Sequence, residues 1–153
     1  MTNECIPFFE AAYTQKITVA AGYAMTGKTF CGPITSYQGN GPGLAADPLP
    51  TNDGGNLQCP ALPAAGGEVG GVIGWDVAQN GKAPIIRGGG TILPVTSGAA
   101  VNAGAELAVD AAGKVVTAAT GDVVVGKAHS TVAGANLDVA VELYDLNPAI
   151  LAA

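Results

Sequence analysis

The sequence predicts an all-β fold: a compact barrel- or sandwich-like domain of short antiparallel strands. Three observations predict it. The 153 residues include 23 Gly and 10 Pro, so turns recur at close intervals. Hydrophobic residues reach 48% while aromatics are only 5%, and Ala and Val supply most of the apolar content. Small side chains pack thin layers of strands and line deep ligand pockets poorly. Within Gly88–Leu143, short runs of Val, Ile, Leu and Thr are broken by Gly, Ala-Gly, Asp-Ala-Ala-Gly or Thr-Gly-Asp. That is the rhythm of a meander, with a turn between each pair of strands.

Residues 1–15 read as an N-terminal arm. Met1–Tyr13 holds Ile6, Phe8, Phe9 and Tyr13, two of the three Phe among them, and Pro7 breaks any helix early. The arm has two readings. It tucks its aromatics into its own core as an edge segment, or it docks them on a neighbouring subunit, where buried aromatics are the usual anchors.

Residues 16–146 read as the β-rich body. Lys16–Ala20 is a first strand, and Thr29–Ile34 a second, cut by Gly32-Pro33. Thr35–Gly55 is rich in Gly, Pro, Asn and Asp and has no periodicity, which marks a long functional or mobile loop. Asn56–Leu62 is a short extended piece, and Gly66–Gly71 a glycine-heavy turn. Val72–Ala78 is a strand carrying the lone Trp75, a residue for the core or an interface. It pairs with Lys82–Arg87 through Asn80-Gly81, two residues that tolerate positive φ. Thr91–Val95, Glu106–Val109, Lys114–Thr117, Val123–Lys127 and Leu137–Leu143 follow as strands. Ala103–Val109 (AGAELAV) and Ala133–Val139 (AGANLDV) echo each other, as two similar strand starts in one sheet. Residues 147–153 form a short tail, with Asn147 capping one helical turn that Pro148 opens.

Twelve acidic residues against six basic ones give a net charge of −6. Lys16, Lys28, Lys82, Arg87, Lys114 and Lys127 are scattered, whereas a phosphate-tracking stripe needs clustered cations. Direct nucleic-acid binding and attachment to anionic membranes are therefore not expected. The first residues lack the basic and apolar regions of a signal peptide, and no stretch approaches the ~18–20 apolar residues that span a bilayer. These features predict a soluble protein made in the cytoplasm. Cys5, Cys31 and Cys59 are odd in number, widely spaced and without CxxC, so they read as small buried thiols rather than a disulfide framework. With His129 as the lone His, no zinc site is expected either.

One motif matches a phosphate-binding loop letter for letter: Gly22–Thr29, GYAMTGKT. Such a loop must open a helix whose N-terminus faces the phosphates. Here Phe30, Cys31, Gly32 and Pro33 follow, which cannot propagate one, so the stretch reads as a turn joining two antiparallel strands. His129-Ser130 lacks any arrangement that marks a nucleophile. Asp110, Asp122 and Asp138 sit in or beside turns, where Asp satisfies local backbone donors. No catalytic residue, cofactor or metal is expected, and the chain is not read as an enzyme.

Several stretches together carry a family resemblance. They are the NECIPFFE arm, VAAGYAMTGKTF, the GNGPGL and DGGNLQ loop, GGVIGWDVAQNGK, IIRGGGTILPVTSGAAVNAGAELAVDAAGKVV, and GDVVVGKAHSTVAGANLDVAVELY. In these the chain resembles the small capsid decoration, or cement, proteins of tailed bacteriophages, in the version found in phages of actinobacteria. The resemblance runs from about Asn3 to Tyr144 and is densest over Gly70–Tyr144. It implies a structural protein of the virion that binds the outer surface of the head and stabilises the expanded lattice of the major capsid protein. It also implies self-association, as a homotrimer, and no enzymatic activity. Candidate contacts with the capsid or a second subunit are Ile6, Phe8, Phe9 and Tyr13 in the arm, and Tyr37 and Leu44 in the long loop. The alternative is a β-rich binding module, such as a fibre, adhesin or carbohydrate-binding domain. Against it, Trp75, Tyr23, Tyr37 and Tyr144 are scattered along the sequence.

Overall fold

The computed structural model describes residues 4–9, 15–36, 57–145 and 150–153. These residues are all β and loop, with no helix. Six strands make the first sheet: β1 (Gln15–Ala21), β2 (Phe30–Cys31), β3 (Thr35–Ser36), β4 (Leu57–Cys59), β5 (Gly71–Ile73) and β6 (Lys82–Arg87). Their order is β2-β5-β6-β1-β4-β3. The two outermost strands, β2 and β3, are joined by Gly32, Pro33 and Ile34 alone. Four Cα steps from Cys31 to Thr35 reach at most ~15 Å, whereas six flat strands would hold their edges ~24 Å apart. The sheet must therefore curl, and β2 comes round towards β4.

The second sheet contains β7 (Ile92–Thr96), β8 (Glu106–Val109), β9 (Val115–Thr117), β11 (Gly126–Ala128) and β12 (Asp138–Leu143), in the order β7-β12-β11-β8-β9. Its edges also meet: Ser97, just past β7, bridges Val115 of β9, and Gly98 N–H donates to the Val115 carbonyl at 2.8 Å. A two-stranded ribbon of β10 (Val123–Val124) and β13 (Ile150–Leu151) flanks it.

Alternation along β2, β5 and β6 welds the two sheets together. Cys31, Ile73 and Ile85 face inward with Val19, Ala21, Met25, Cys59 and Ala83. Their neighbours Phe30, Val72 and Ile86 face the other way, into a core shared with Leu93, Val95, Leu107, Val115, Val139, Val141 and Leu143. Cross-strand partners share a face, as the registers Phe30↔Val72, Val72↔Ile86 and Ile73↔Ile85 require. Two buried faces explain why these strands read as apolar runs (FC, VI, II), whereas β12 alternates strictly with Val139, Val141 and Leu143 inward.

Several expectations change. The second sheet is not a simple meander: β8–β9 and β11–β12 are hairpins, but β7 pairs with β12 and β8 with β11. The β1–β4 ladder is parallel, because β4 returns to the sheet after the long connection from β3. Thr35–Ser36, placed in the loop by its polarity, is a strand on β4, and the rest of that loop lies outside the described residues. Gly22–Thr29 does not join paired strands, since β5 and β6 lie between β1 and β2. The hairpin through Asn80-Gly81 is wider than a two-residue turn. The ladder ends at Ile73↔Ile85, Val77 bridges Met25 instead, and only Asn80 takes positive φ, at 69°. In the tail, Asn147 and Pro148 lie outside the described residues, but Ile150–Leu151 is a strand rather than helix, paired with Val123–Val124.

Candidate functional site

The arm lies on the body through its backbone. Cys5 N–H donates to Gly74 O at 2.7 Å, Phe8 N–H to Ile92 O at 2.8 Å, and Ile92 N–H to Phe9 O at 2.9 Å. The Cys5 side chain is the one that tucks in: it is buried and its thiol donates to Pro94 O at 3.3 Å. Burial pushes that thiol up to about 12. The large apolar side chains do the opposite. Ile6, Phe8 and Phe9 remain 67%, 68% and 58% exposed, which overturns the reading that they fill their own core. The cause is geometric: the edge of β7 offers hydrogen bonds to the arm, while the core beneath is already closed by Leu93 and Val95.

Trp75 stands beside the arm, 49% exposed, in the loop after β5. It is therefore not a core residue. Glu4, Cys5, Ile6, Pro7, Lys16, Gly74, Trp75, Pro84 and Ile86 line a shallow groove of about 380 Å³. Trp75 was missed as a neighbour of Ile6 because they are far apart in sequence. The signal for its exposure was local: Gly74 and Asp76 flank it and end the apolar run of β5. Of the other predicted contacts, Tyr13, Tyr37 and Leu44 lie outside the described residues.

The remaining candidates for chemistry are engaged structurally. In Gly22–Thr29, Lys28 has φ 62°, its Nζ is 2.8 Å from Asp138 Oδ2, and the Thr29 hydroxyl is buried and donates to Thr26 O at 2.6 Å. Gly27 N–H, which a phosphate would need, donates to Asp76 Oδ1 at 2.9 Å. Thr29 runs straight into β2, so no helix N-terminus backs the loop. Asp110 accepts from Ala112 and Lys114 N–H, and Asp122 from Ala119 N–H, as turn residues do. Asp138 instead opens β12 and pairs with Lys28. His129 Nε2 meets Glu142 Oε2 at 2.6 Å on the surface, while the Ser130 hydroxyl accepts from Ala140 N–H, so the two form no nucleophile–base pair. Among the described residues no group of three His, Cys, Asp or Glu could hold a metal ion.

The phage cement protein family model matches residues 43–143, about two-thirds of the chain. The chain belongs to the phage cement protein family. The matched part of the cement protein runs from within the long loop through β12, while the arm and β1, β2 and β3 precede it. A solved structure described as the crystal structure of the head fiber gp8.5 N base in bacteriophage phi29 has the same fold. It superposes with a TM-score of 0.60 at 15% identity, covering 85% of this chain and 93% of that one. No curated protein matches the cement protein in sequence. Family membership makes it a structural protein of the virion, associated with the phage head and binding its capsid. No helix among the described residues is long and apolar enough to cross a membrane.

Proposed function

We propose that this cement protein binds the outer surface of the phage head, on the major capsid protein, and stabilises the expanded lattice. The observation that carries the reading is the arm. Its backbone is already hydrogen-bonded to β7 and Gly74, yet Ile6, Phe8 and Phe9 point into solvent, with Ile6 sharing a groove with Trp75. Apolar side chains held in place by a fixed backbone lose little freedom on docking, which is what an interface anchor needs. Stabilisation follows by linkage: a protein that binds the expanded lattice alone shifts the equilibrium towards it. The protein acts as a homotrimer, so that one particle of cement touches several capsid subunits and dissociates slowly. It carries out no reaction, and the groups that invited chemistry are occupied by structural bonds.

A β-rich module that binds sugars would stack its ligand on Trp75. Glu4 and Lys16 are the charged groups in that groove and the remaining walls at Ile6, Pro7, Pro84 and Ile86 are apolar, so this reading is the less favoured one. The test is to add purified protein to expanded shells that lack it, then follow shell melting and co-sedimentation. Bound protein should raise the temperature at which shells lose integrity, and should stay bound in molar salt, because the contact is apolar. Binding without any gain in shell stability would reject the stabilising role, and release by salt would reject the apolar contact.

A further inference from the structure

We propose that Cys31 and Cys59 are a latent disulfide, reduced when the chain is made and joined once the particle is outside the cell. The two thiols belong to strands that share no ladder, β2 and β4, yet the curl of the first sheet brings them into one buried cluster. Each thiol is the main influence on the other's ionisation, as expected of immediate neighbours. The Cys59 sulfur also lies 3.4 Å from Gly32 O, next to Cys31 in the chain, and 3.4 Å from Ala61 O. The approach of the two segments is tight: a Cβ on Gly32 would fall 2.3 Å from that same Ala61 oxygen. The seam between β2 and β4 is thus closed by side chains and by the short link Gly32-Pro33-Ile34. A covalent bond there would join what the ladders leave apart, and would clasp the base of the long connection between β3 and β4.

The third thiol does not compete. Cys5 packs in the other core and its hydrogen bond goes to Pro94 O. The remaining polar neighbour of the pair is Tyr23, whose buried hydroxyl faces the Cys59 sulfur and makes no hydrogen bond of ordinary geometry.

Roles follow from the surroundings. The neighbouring Cys31 holds the Cys59 pKa down, while the neighbouring Cys59 and burial push Cys31 well up, so Cys59 is the thiol that ionises first. With a peroxide as oxidant, the Cys59 thiolate attacks one peroxide oxygen, the O–O bond breaks, and hydroxide leaves, giving a sulfenic acid. The Cys31 sulfur then attacks the Cys59 sulfur. Its proton and the sulfenic hydroxyl depart as water. Two thiols and one hydrogen peroxide become one disulfide and two waters. Hydrogen peroxide is close to water in size, so brief opening of the barrel admits it. Virion surfaces are an oxidising setting and the cytosol is not, which sets the timing.

The experiment uses the full chain, purified under reducing conditions and exposed to hydrogen peroxide. Remaining thiols are then alkylated in denaturant, and peptides are mapped without reduction. The expected product links the Cys31 and Cys59 peptides, lighter by two hydrogens, with Cys5 alkylated. Melting should rise by roughly 5–10 °C on oxidation and return on reduction. Cys31→Ser should instead leave a Cys59 sulfenic acid that dimedone labels. Cys31 and Cys59 recovered free from the oxidised wild type, a bridge to Cys5, or links between chains only would each overturn the proposal. Linked peptides without a reversible change in melting would overturn the claim that the bond joins what the ladders leave apart.

Discussion

Replacing Phe8 with Ser tests the arm most directly. Phe8 is 68% exposed, so its side chain contributes little to the stability of the free protein. A buried aromatic side chain removes about 150–250 Å² from water, so docking the exposed part of Phe8 would cover roughly 100–170 Å². At about 25 cal/mol per Å² that is at most ~2.5–4 kcal/mol, and imperfect fit and side-chain ordering leave about 2 kcal/mol. Phe8→Ser should therefore weaken attachment about 30-fold per copy. Occupancy is read by titrating the variant onto expanded shells lacking the protein and quantifying the sedimented fraction. Melting of the free variant, measured alongside, should move by no more than about 2 °C. Leu151→Ser is the control: Leu151 is 63% exposed but sits on the β10–β13 ribbon, which shares no ladder with the arm. Unchanged binding by Phe8→Ser, or an equal loss in both variants, would refute the assignment. A collapse in melting would show that Phe8 belongs to the fold instead.

Three further outcomes follow from the geometry. Gly113 has φ 77°, and a Cβ there would meet Phe30 O at 2.2 Å, so Gly113→Ala should cost about 2–4 kcal/mol in urea unfolding; Gly104→Ala, at φ 87° with open space around it, should cost only about 1 kcal/mol. Equal losses would show that the contact with Phe30 is not rigid. Lys28→Ala should lower stability by less than about 1 kcal/mol, because its pair with Asp138 is open to solvent, and ATP titration should show no Lys28-dependent affinity; such affinity would overturn the structural reading of Gly22–Thr29. Cys5 is raised from 9.0 to about 12, so it stays protonated in the fold where an unfolded thiol would ionise. Its contribution is whole below pH 9 and declines by up to about 1.4 kcal/mol per pH unit above it; Cys5→Ala should remove that part of the alkaline slope, and an unchanged slope would refute the cause.

Strand positions were legible because each strand carries its own apolar run and its own turn. Lys16–Ala20, Glu106–Val109, Lys114–Thr117 and Leu137–Leu143 fall on β1, β8, β9 and β12 within a residue or two. Pairing was not legible, since nothing local tells β12 to sit beside β7 rather than at the end of a meander. Three-residue links carry more information than composition does: Gly32-Pro33-Ile34 forces the first sheet to curl, but only once the edge strands are known. The candidate contacts were half legible. The density of aromatics in the arm marked Ile6, Phe8 and Phe9, but their exposure depends on Cys5 taking the inward place. Trp75 could be placed beside Ile6 only by the fold.

That division of labour in the arm bears on how a cement protein could work. A disordered aromatic tail would have to be ordered as it binds, and each residue fixed costs about 1–2 kcal/mol of backbone entropy. Here the bonds from Cys5, Phe8 and Phe9 to Gly74 and Ile92 fix the arm before any partner arrives. The buried Cys5 anchors the segment from within, and the long β-body behind it is rigid because Phe30, Val72 and Ile86 lock one sheet onto the other. Under the proposed function the backbone entropy has been lost at folding, so it is not set against the apolar gain at Phe8 and Trp75 when the lattice is bound. The same logic gives the variant that separates anchoring from contact. Cys5→Ser leaves Phe8 intact but puts a hydroxyl in an apolar core, so it should loosen the arm and weaken attachment without removing any contacting atom. If Cys5→Ser melts lower than the wild type yet binds as well, preorganisation of the arm is not what makes its aromatics effective.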